Sequence, residues 1–215
     1  MTVIAFDLDG TLSNPAQGIT ASLNYALTRL GALERDSNEL TSYIGPPLTS
    51  IFTDLLNTAE ASIIREAIGH YRDRYNSIGY RENLLYDGIR DLLDALTADD
   101  RKLYVATGKG PEIARAVVEY FELQHYFTGI LECGLRRQKH ELLEEILETE
   151  GDCTLVMVGD RSHDILAGKA VGARTVGVKW GFGSVEELER AGTDLLATSP
   201  SQLTTCIERL ALLGE

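Results

Sequence analysis

The chain is poor in what several large protein classes need. Only three of its 215 residues are cysteine, Cys133, Cys153 and Cys206. They lie far apart, form no CxxC or metal-ligand spacing, and read as reduced thiols of a cytoplasmic protein. Positive charge is scarce: Lys and Arg number 20 against 33 Asp and Glu, a formal net charge of −13. So acidic a chain lacks the basic footprint needed to coat a nucleic acid polymer or to dock on an anionic membrane. No run approaches the ~18 consecutive apolar residues of a membrane span. The stretch Met1 to Asp7 has no basic residue, so no targeting peptide is expected. Internal repeats and low-complexity tracts are also lacking.

What is present is a rhythm. Short, β-branched apolar runs recur at Thr2–Phe6, Leu103–Ala106, Leu155–Val158 and Thr175–Val178. Each is apolar on both faces, which suits parallel strands buried between helix layers. Between them lie stripes of helical period, Ile89, Leu92, Leu93 and Leu96 in one, Leu142, Leu143, Ile146 and Leu147 in another. A further strand is expected near Asp194–Ala197 and a last helix near Ser201–Leu212. Strand–helix alternation of this kind predicts an α/β fold with a Rossmann-like parallel sheet.

One interval breaks the rhythm. Residues 14–83 hold no convincing strand, while Ile19, Leu23, Leu27 and Leu30, and then Ile64, Ile68, Tyr71, Tyr75 and Ile78, follow helical spacing. That is far more chain than a βα connection needs. An inserted all-helical domain is therefore expected over 14–83, with the α/β core formed by 1–13 and 84–215. The insertion has six Arg, no Lys and eight acids, a net of −2, and leaves −11 to the rest. Its cations are all guanidinium groups, which suit planar anions, although most such side chains simply face water.

The residues that carry chemistry cluster just after the apolar runs, where open α/β sheets place ligands. Asp7-Leu8-Asp9-Gly10 follows the first. Two carboxylates so close repel each other, and a cation or a functional demand has to offset that. Taken alone, Asp9-Gly10 reads equally well as a turn. Gly159-Asp160-Arg161-Ser162-His163-Asp164 follows another run. Asp160 stands where a helix N-cap is expected, with Asp164 one turn on. Four acids converging on one sheet edge, without soft ligands, suit magnesium. Thr107-Gly108-Lys109-Gly110 offers a hydroxyl and backbone N–H groups before Pro111, a phosphate cradle or an ordinary turn. Arg136-Arg137-Gln138-Lys139-His140 places cations at a helix start, against the helix dipole. Lys139 could sit beside the carboxylates and a phosphate, and a solvated basic turn is the alternative.

In this order and at these strand ends, DLDGTL, the Thr after a core strand, the Lys opening a later helix and GDxxxD resemble the haloacid dehalogenase superfamily. The insertion behind the first motif, Tyr43-Ile44-Gly45-Pro46-Pro47-Leu48 and Trp180-Gly181-Phe182-Gly183-Ser184 with Glu186-Glu187-Leu188 are similar to its phosphoglycolate phosphatase-like branch. A sub-branch of five-prime-nucleotidases is similar in the same places. The resemblance implies a magnesium-dependent phosphatase that hydrolyses a small phosphate monoester through an aspartyl-phosphate. Asp7 would be the nucleophile and Asp9 the general acid and base. Thr107, the amide of Gly108 and Lys139 would hold the phosphoryl group. Asp7, the backbone carbonyl of Asp9, Asp160 and Asp164 would hold or orient the metal. Gly108 departs from the family, which often has Ser or Asn there, while Lys109 matches it.

The resemblance makes the insertion a cap that selects the leaving group, with Tyr43, Gly45, Pro46, Lys109 and Arg72 as candidate specificity residues. Phosphoglycolate would ask for a cation such as Arg72 or Arg74. A nucleoside monophosphate would ask for an aromatic shelf near Tyr43. The partner expected is a small phosphorylated metabolite, and the protein a monomer or dimer. A β-phosphoglucomutase-like phosphomutase and a non-catalytic binding protein on the same scaffold remain the rivals.

Overall fold

The structure, a computed structural model, describes residues 1–134 and 137–212. By their internal contacts they divide into two units, one of Met1–Asn14 with Leu85–Glu215 and one of Pro15–Leu84. In chain order the elements are β1 (Thr2–Phe6), β2 (Ser13–Asn14), α1 (Ala16–Arg29), α2 (Ser37–Thr41), α3 (Leu48–Leu55), α4 (Ala61–Ser77) and β3 (Leu84–Leu85). There follow α5 (Ile89–Ala98), β4 (Lys102–Thr107), α6 (Pro111–Tyr120), β5 (Phe127–Glu132), α7 (Lys139–Glu150) and β6 (Thr154–Gly159). The last are α8 (Ser162–Ala170), β7 (Arg174–Val178), α9 (Val185–Arg190), β8 (Leu195–Ala197) and α10 (Pro200–Leu212).

The larger unit is built on a six-stranded sheet of order β5-β4-β1-β6-β7-β8. Every pairing in it is parallel. β1 has both neighbours, β4 and β6, and its Val3, Ile4, Ala5 and Phe6 are fully buried. Such a strand must be apolar on both faces, which is why the N-terminal run shows no alternation. One side of the sheet packs Val3, Ala5 and Met157 against Leu142, Leu143 and Ile146 of α7. The strand order runs outward in two directions from β1, so the carboxyl ends of β1, β4 and β6 frame the crevice that this topology provides.

β5 is a strand for which the sequence reading had no place. It is an edge strand, mostly half-buried, and Gly129 interrupts its apolar residues. Its pairing with β4 shifts register between Leu103 and Tyr104. A partly exposed edge needs no continuous apolar run, so the pattern that marks buried strands is absent.

The smaller unit has its own core. Ile19, Leu23, Ala26 and Leu27 of α1 are buried, as are Ala67, Tyr71 and Tyr75 of α4. Tyr71 and Tyr75 stack at 5.4 Å with rings 10° apart, and Phe52 meets Tyr71 edge-on at 6.3 Å. Ile78 falls just past α4 and is 51% exposed, so the expected stripe ends at Tyr75. Arg74 forks onto Glu82 at 2.8 and 2.9 Å and reaches Ser22 at 3.1 Å. It ties α4 to the chain after it and to α1.

No helix among the described residues is long and apolar enough to cross a membrane. At the far edge of the sheet, Asp194 fastens β7 to the segment before β8. Its carboxylate accepts from the Thr175 N–H at 2.7 Å and the Thr175 hydroxyl at 3.0 Å, and pairs with Lys169. Burial pushes the Asp194 pKa up, but the bonds from Lys169 and Thr175 outweigh it and hold the carboxyl below its usual value.

A carboxyl depressed in this way stabilises the fold above its unfolded pKa of ~3.9, and that contribution is lost as pH falls through the folded value. Asp194→Ala should therefore cost about 1.5–3 kcal/mol near neutral pH, the range for hydrogen bonds to a charged group. The gap from wild type should narrow below about pH 4, read by urea unfolding across pH. A gap that stays constant with pH would remove the carboxylate from this account.

Candidate active site

The end of β1 delivers Asp7 into the crevice. Its N–H still joins the ladder, donating to the Val158 carbonyl at 2.9 Å, and the residue is 5% exposed. Gly10 follows with φ +84°, and a side chain there would collide with the Asp160 carboxylate, a Cβ lying 2.2 Å from Oδ2. Only glycine both adopts that backbone and clears that acid.

Lys139, the first residue of α7, is buried and turns inward, its ammonium 2.7 Å from Asp7 Oδ1 and also on Asp164 Oδ1. The helix start that holds it is capped by Glu141, which accepts from the Gln138 N–H at 2.5 Å. Of the expected basic cluster, Arg137 folds back onto Glu145 and the Glu141 carbonyl of its own helix, and Arg136 lies outside the described residues.

Asp160 and Asp164 are both fully buried. Asp160 is not the N-cap of α8, a place taken by Arg161. Instead Asp160 Oδ2 accepts from the Phe182 N–H at 2.7 Å, and its Oδ1 is buried without a hydrogen-bond partner. Asp164 does serve the helix start, its Oδ2 accepting from the Arg161 N–H at 3.0 Å.

The segment after β7 wraps this acid, a role that local sequence pattern does not announce. A Cβ on Gly183 would lie 1.9 Å from the Asp160 carbonyl oxygen, so the loop closes only with glycine there. Trp180 Nε1 donates to the Thr11 carbonyl at 3.0 Å. Glu187 Oε1 accepts from the Ser162 N–H at 2.7 Å and from Arg161 Nε at 3.0 Å, tying α9 to the start of α8. Tyr86 meets Trp180 edge-on at 6.5 Å, and burial, with Asp160 and Asp9 nearby, pushes its phenol pKa up.

Asp9 is held separately, its Oδ2 2.8 Å from Lys109 Nζ. Thr107, at the end of β4 and 2% exposed, accepts from the Lys109 N–H at 3.3 Å, with Gly108 exposed between them. Asp7, Thr107, Lys139, Asp160 and Asp164 are thus buried in the larger unit, with Asp9 and Lys109 paired there.

The remaining candidates lie in the smaller unit. Tyr43 donates to Asp54 and lines a hollow of about 360 Å³ with Arg35, Glu39, Leu40, Ser42 and Leu55. Gly45, at φ +118°, and Pro46 are exposed ahead of α3, and Arg72 is exposed on α4.

The electrostatics call for a cation. Each of Asp7, Asp160 and Asp164 offers a carboxylate oxygen within 4.8 Å of the other two. Burial, then repulsion by Asp164 and Asp9, pushes Asp7 up to about 7 against the pull of Lys139. Burial, with Asp164 and Asp7, pushes Asp160 up to about 8. Asp164 is buried too, yet Lys139 and His163 hold it low. Lys139 is raised despite its burial, because Asp164 and Asp7 face it. Counting Asp7, Asp9, Asp160 and Asp164 against Lys109 and Lys139 leaves two negative charges, the complement of one divalent ion. All the donors are oxygens, and Asp160 Oδ1 has no other partner, so the set fits a hard cation such as magnesium.

The chain matches the model of the haloacid dehalogenase-like hydrolases over residues 4–178. It is 42% identical over 190 residues to a 5'-nucleotidase of Pseudomonas aeruginosa, covering 86% of each chain. It is 35% identical over 199 residues to the tyrosine-protein kinase PtkA of Mycobacterium tuberculosis, covering 90% of this chain and 67% of that one. A phosphoglycolate phosphatase of Aquifex aeolicus is 29% identical over 215 residues, with 97% of each chain covered. The solved structure of a predicted phosphatase from Clostridium acetobutylicum superposes with a TM-score of 0.87 at 32% identity, covering 97% of this chain and 98% of that one. With the family match running from β1 to β7 and taking in every acid of the site, the chain belongs to the haloacid dehalogenase-like hydrolases and stands among their phosphatases.

Proposed function

We propose that this protein is a magnesium-dependent phosphatase of small phosphate monoesters, acting through an aspartyl-phosphate on Asp7, with nucleoside 5'-monophosphates as its substrate class. The observation that carries the chemistry is the buried Asp7–Lys139–Asp164 arrangement beside Asp160, with Asp9 held apart on Lys109. Asp7 attacks phosphorus as the bond to the ester oxygen breaks, and Asp9 gives that oxygen its proton. A water then attacks the aspartyl-phosphate, Asp9 takes its proton, and inorganic phosphate leaves Asp7 in its starting form. Lys139, the Thr107 hydroxyl and the Gly108 N–H bind the phosphoryl oxygens and offset their charge. Asp7, Asp160 and Asp164, with the Asp9 carbonyl, would hold magnesium, which when bound neutralises the carboxylates and draws charge from the phosphoryl group.

For the substrate class, the relatives favour a nucleotide. Of the two cations that phosphoglycolate could use, Arg74 is committed to Glu82 and Ser22, while Arg72 is exposed. The relative at 42% identity is named a 5'-nucleotidase, whereas the phosphoglycolate phosphatase is at 29%. We assign residues 14–83 the part of a cap that selects the leaving group. A cytoplasmic location goes with Cys133, Cys153 and Cys206, which are free thiols.

Asp7→Asn should lower turnover by more than about 1,000-fold and abolish acid-stable labelling of the protein by phosphate. Equal activity in wild type and this variant would refute the nucleophile. Chelation should silence the wild type, and magnesium should restore it. Asp9→Asn should still bind phosphate analogues while turning over about 100-fold more slowly or worse. A substrate panel should rank nucleoside 5'-monophosphates above phosphoglycolate by kcat/KM, and the reverse order would return the assignment to phosphoglycolate.

A further inference from the structure

In the proposed reaction Asp9 moves a proton twice, and a carboxyl does this efficiently when its plane is held still. Lys109 supplies that restraint. Its ammonium lies 2.8 Å from Asp9 Oδ2, with the lysine side chain 9% and the aspartate side chain 21% exposed. Asp9 Oδ1, by contrast, is buried and has no hydrogen-bond partner. Lys109 is itself anchored, since its N–H donates to Thr107 Oγ1 at the end of β4. β4 runs beside β1 in register, Phe6 opposite Val105, so the lysine reaches from one strand end to the loop that leaves the next.

We propose that Lys109 is a positioning residue of the reaction: by engaging Oδ2 it fixes the plane of the Asp9 carboxyl while that group gives and takes the proton. This rests on the reading of Asp9 as general acid and base. As the ester P–O bond breaks, the proton passes from the Asp9 carboxyl to the leaving oxygen. As water displaces Asp7 from phosphorus, the Asp9 carboxylate takes a proton from that water. The Lys109 ammonium keeps its protons throughout. In this role Lys109 serves proton transfer, where the resemblance made it a candidate for the choice of leaving group.

The test is the dependence of kcat/KM on the basicity of the leaving oxygen, measured with magnesium present. p-Nitrophenyl phosphate and phenyl phosphate are alike in shape, but nitrophenolate leaves with little help from an acid and phenolate does not. In Lys109→Met and Lys109→Gln the kcat/KM ratio of nitrophenyl to phenyl ester should rise about fivefold or more over wild type, because proton help to the poorer leaving group is lost. Asp9→Asn should raise it at least as far. Both substrates are read on one preparation, so a loss of folded protein cancels from the ratio. An unchanged ratio in both Lys109 variants, with a raised ratio in Asp9→Asn, overturns the positioning role and leaves the acid–base reading of Asp9 standing. An unchanged ratio in Asp9→Asn as well overturns both.

Discussion

A lysine ammonium with almost no access to water lies between two buried carboxylates, and the rest of the larger unit is arranged so that it can. Asp7 and Asp164 are far apart in the sequence, and neither could remain ionised in such a place without Lys139. Removing one partner from a buried pair of this kind typically costs about 3–5 kcal/mol, since the other charge is left stranded. The same ion pair fixes where α7 begins relative to β1 and α8. Glu141 closes the start of α7 behind it, and the Arg161 N–H takes the free oxygen of Asp164. Site and scaffold therefore share one set of contacts.

Charge at this sheet edge is graded. Asp164 has a lysine and a backbone donor and stays ionised. Asp160 has one backbone donor and an unsatisfied oxygen, and burial raises it most visibly. Asp9, outside the three-acid cluster, has a lysine of its own. Four residues of one type are thus divided between a buried cluster that calls for a cation and a separate lysine-paired carboxylate, to which we assign the proton transfer. Environment alone makes the division, as is usual where one residue type has to serve two purposes.

Most of this was legible in the sequence because it follows from local pattern. Fully buried strands are apolar throughout, so β1, β4, β6 and β7 stand out, and the acids follow their carboxyl ends. β5 did not stand out, because an edge strand with a central glycine lacks that signature. How Asp160 is held is not legible from local pattern. Position allows a helix cap as well as a metal ligand, yet its Oδ2 accepts from the Phe182 N–H, 22 residues further on, through a loop that closes over it. Trp180 and Glu187 act in the same way, through partners distant in the chain. Arg74 could be seen as a cation from its letter alone, whereas its commitment to Glu82 and Ser22 depends on how α1 and α4 pack.

The placement of the helical unit has a consequence for synthesis. β1 is made well before its partners β4 and β6, which begin only at Lys102 and Thr154. The internal contacts of residues 15–84 are all available by the time Leu84 is made. On the ribosome β1, whose Val3 to Phe6 are fully buried in the folded protein, therefore waits unpaired while a later segment completes its own core. An unpaired apolar strand of this kind is prone to aggregate, and the acids that follow it at once, Asp7 and Asp9, stand where charge opposes that.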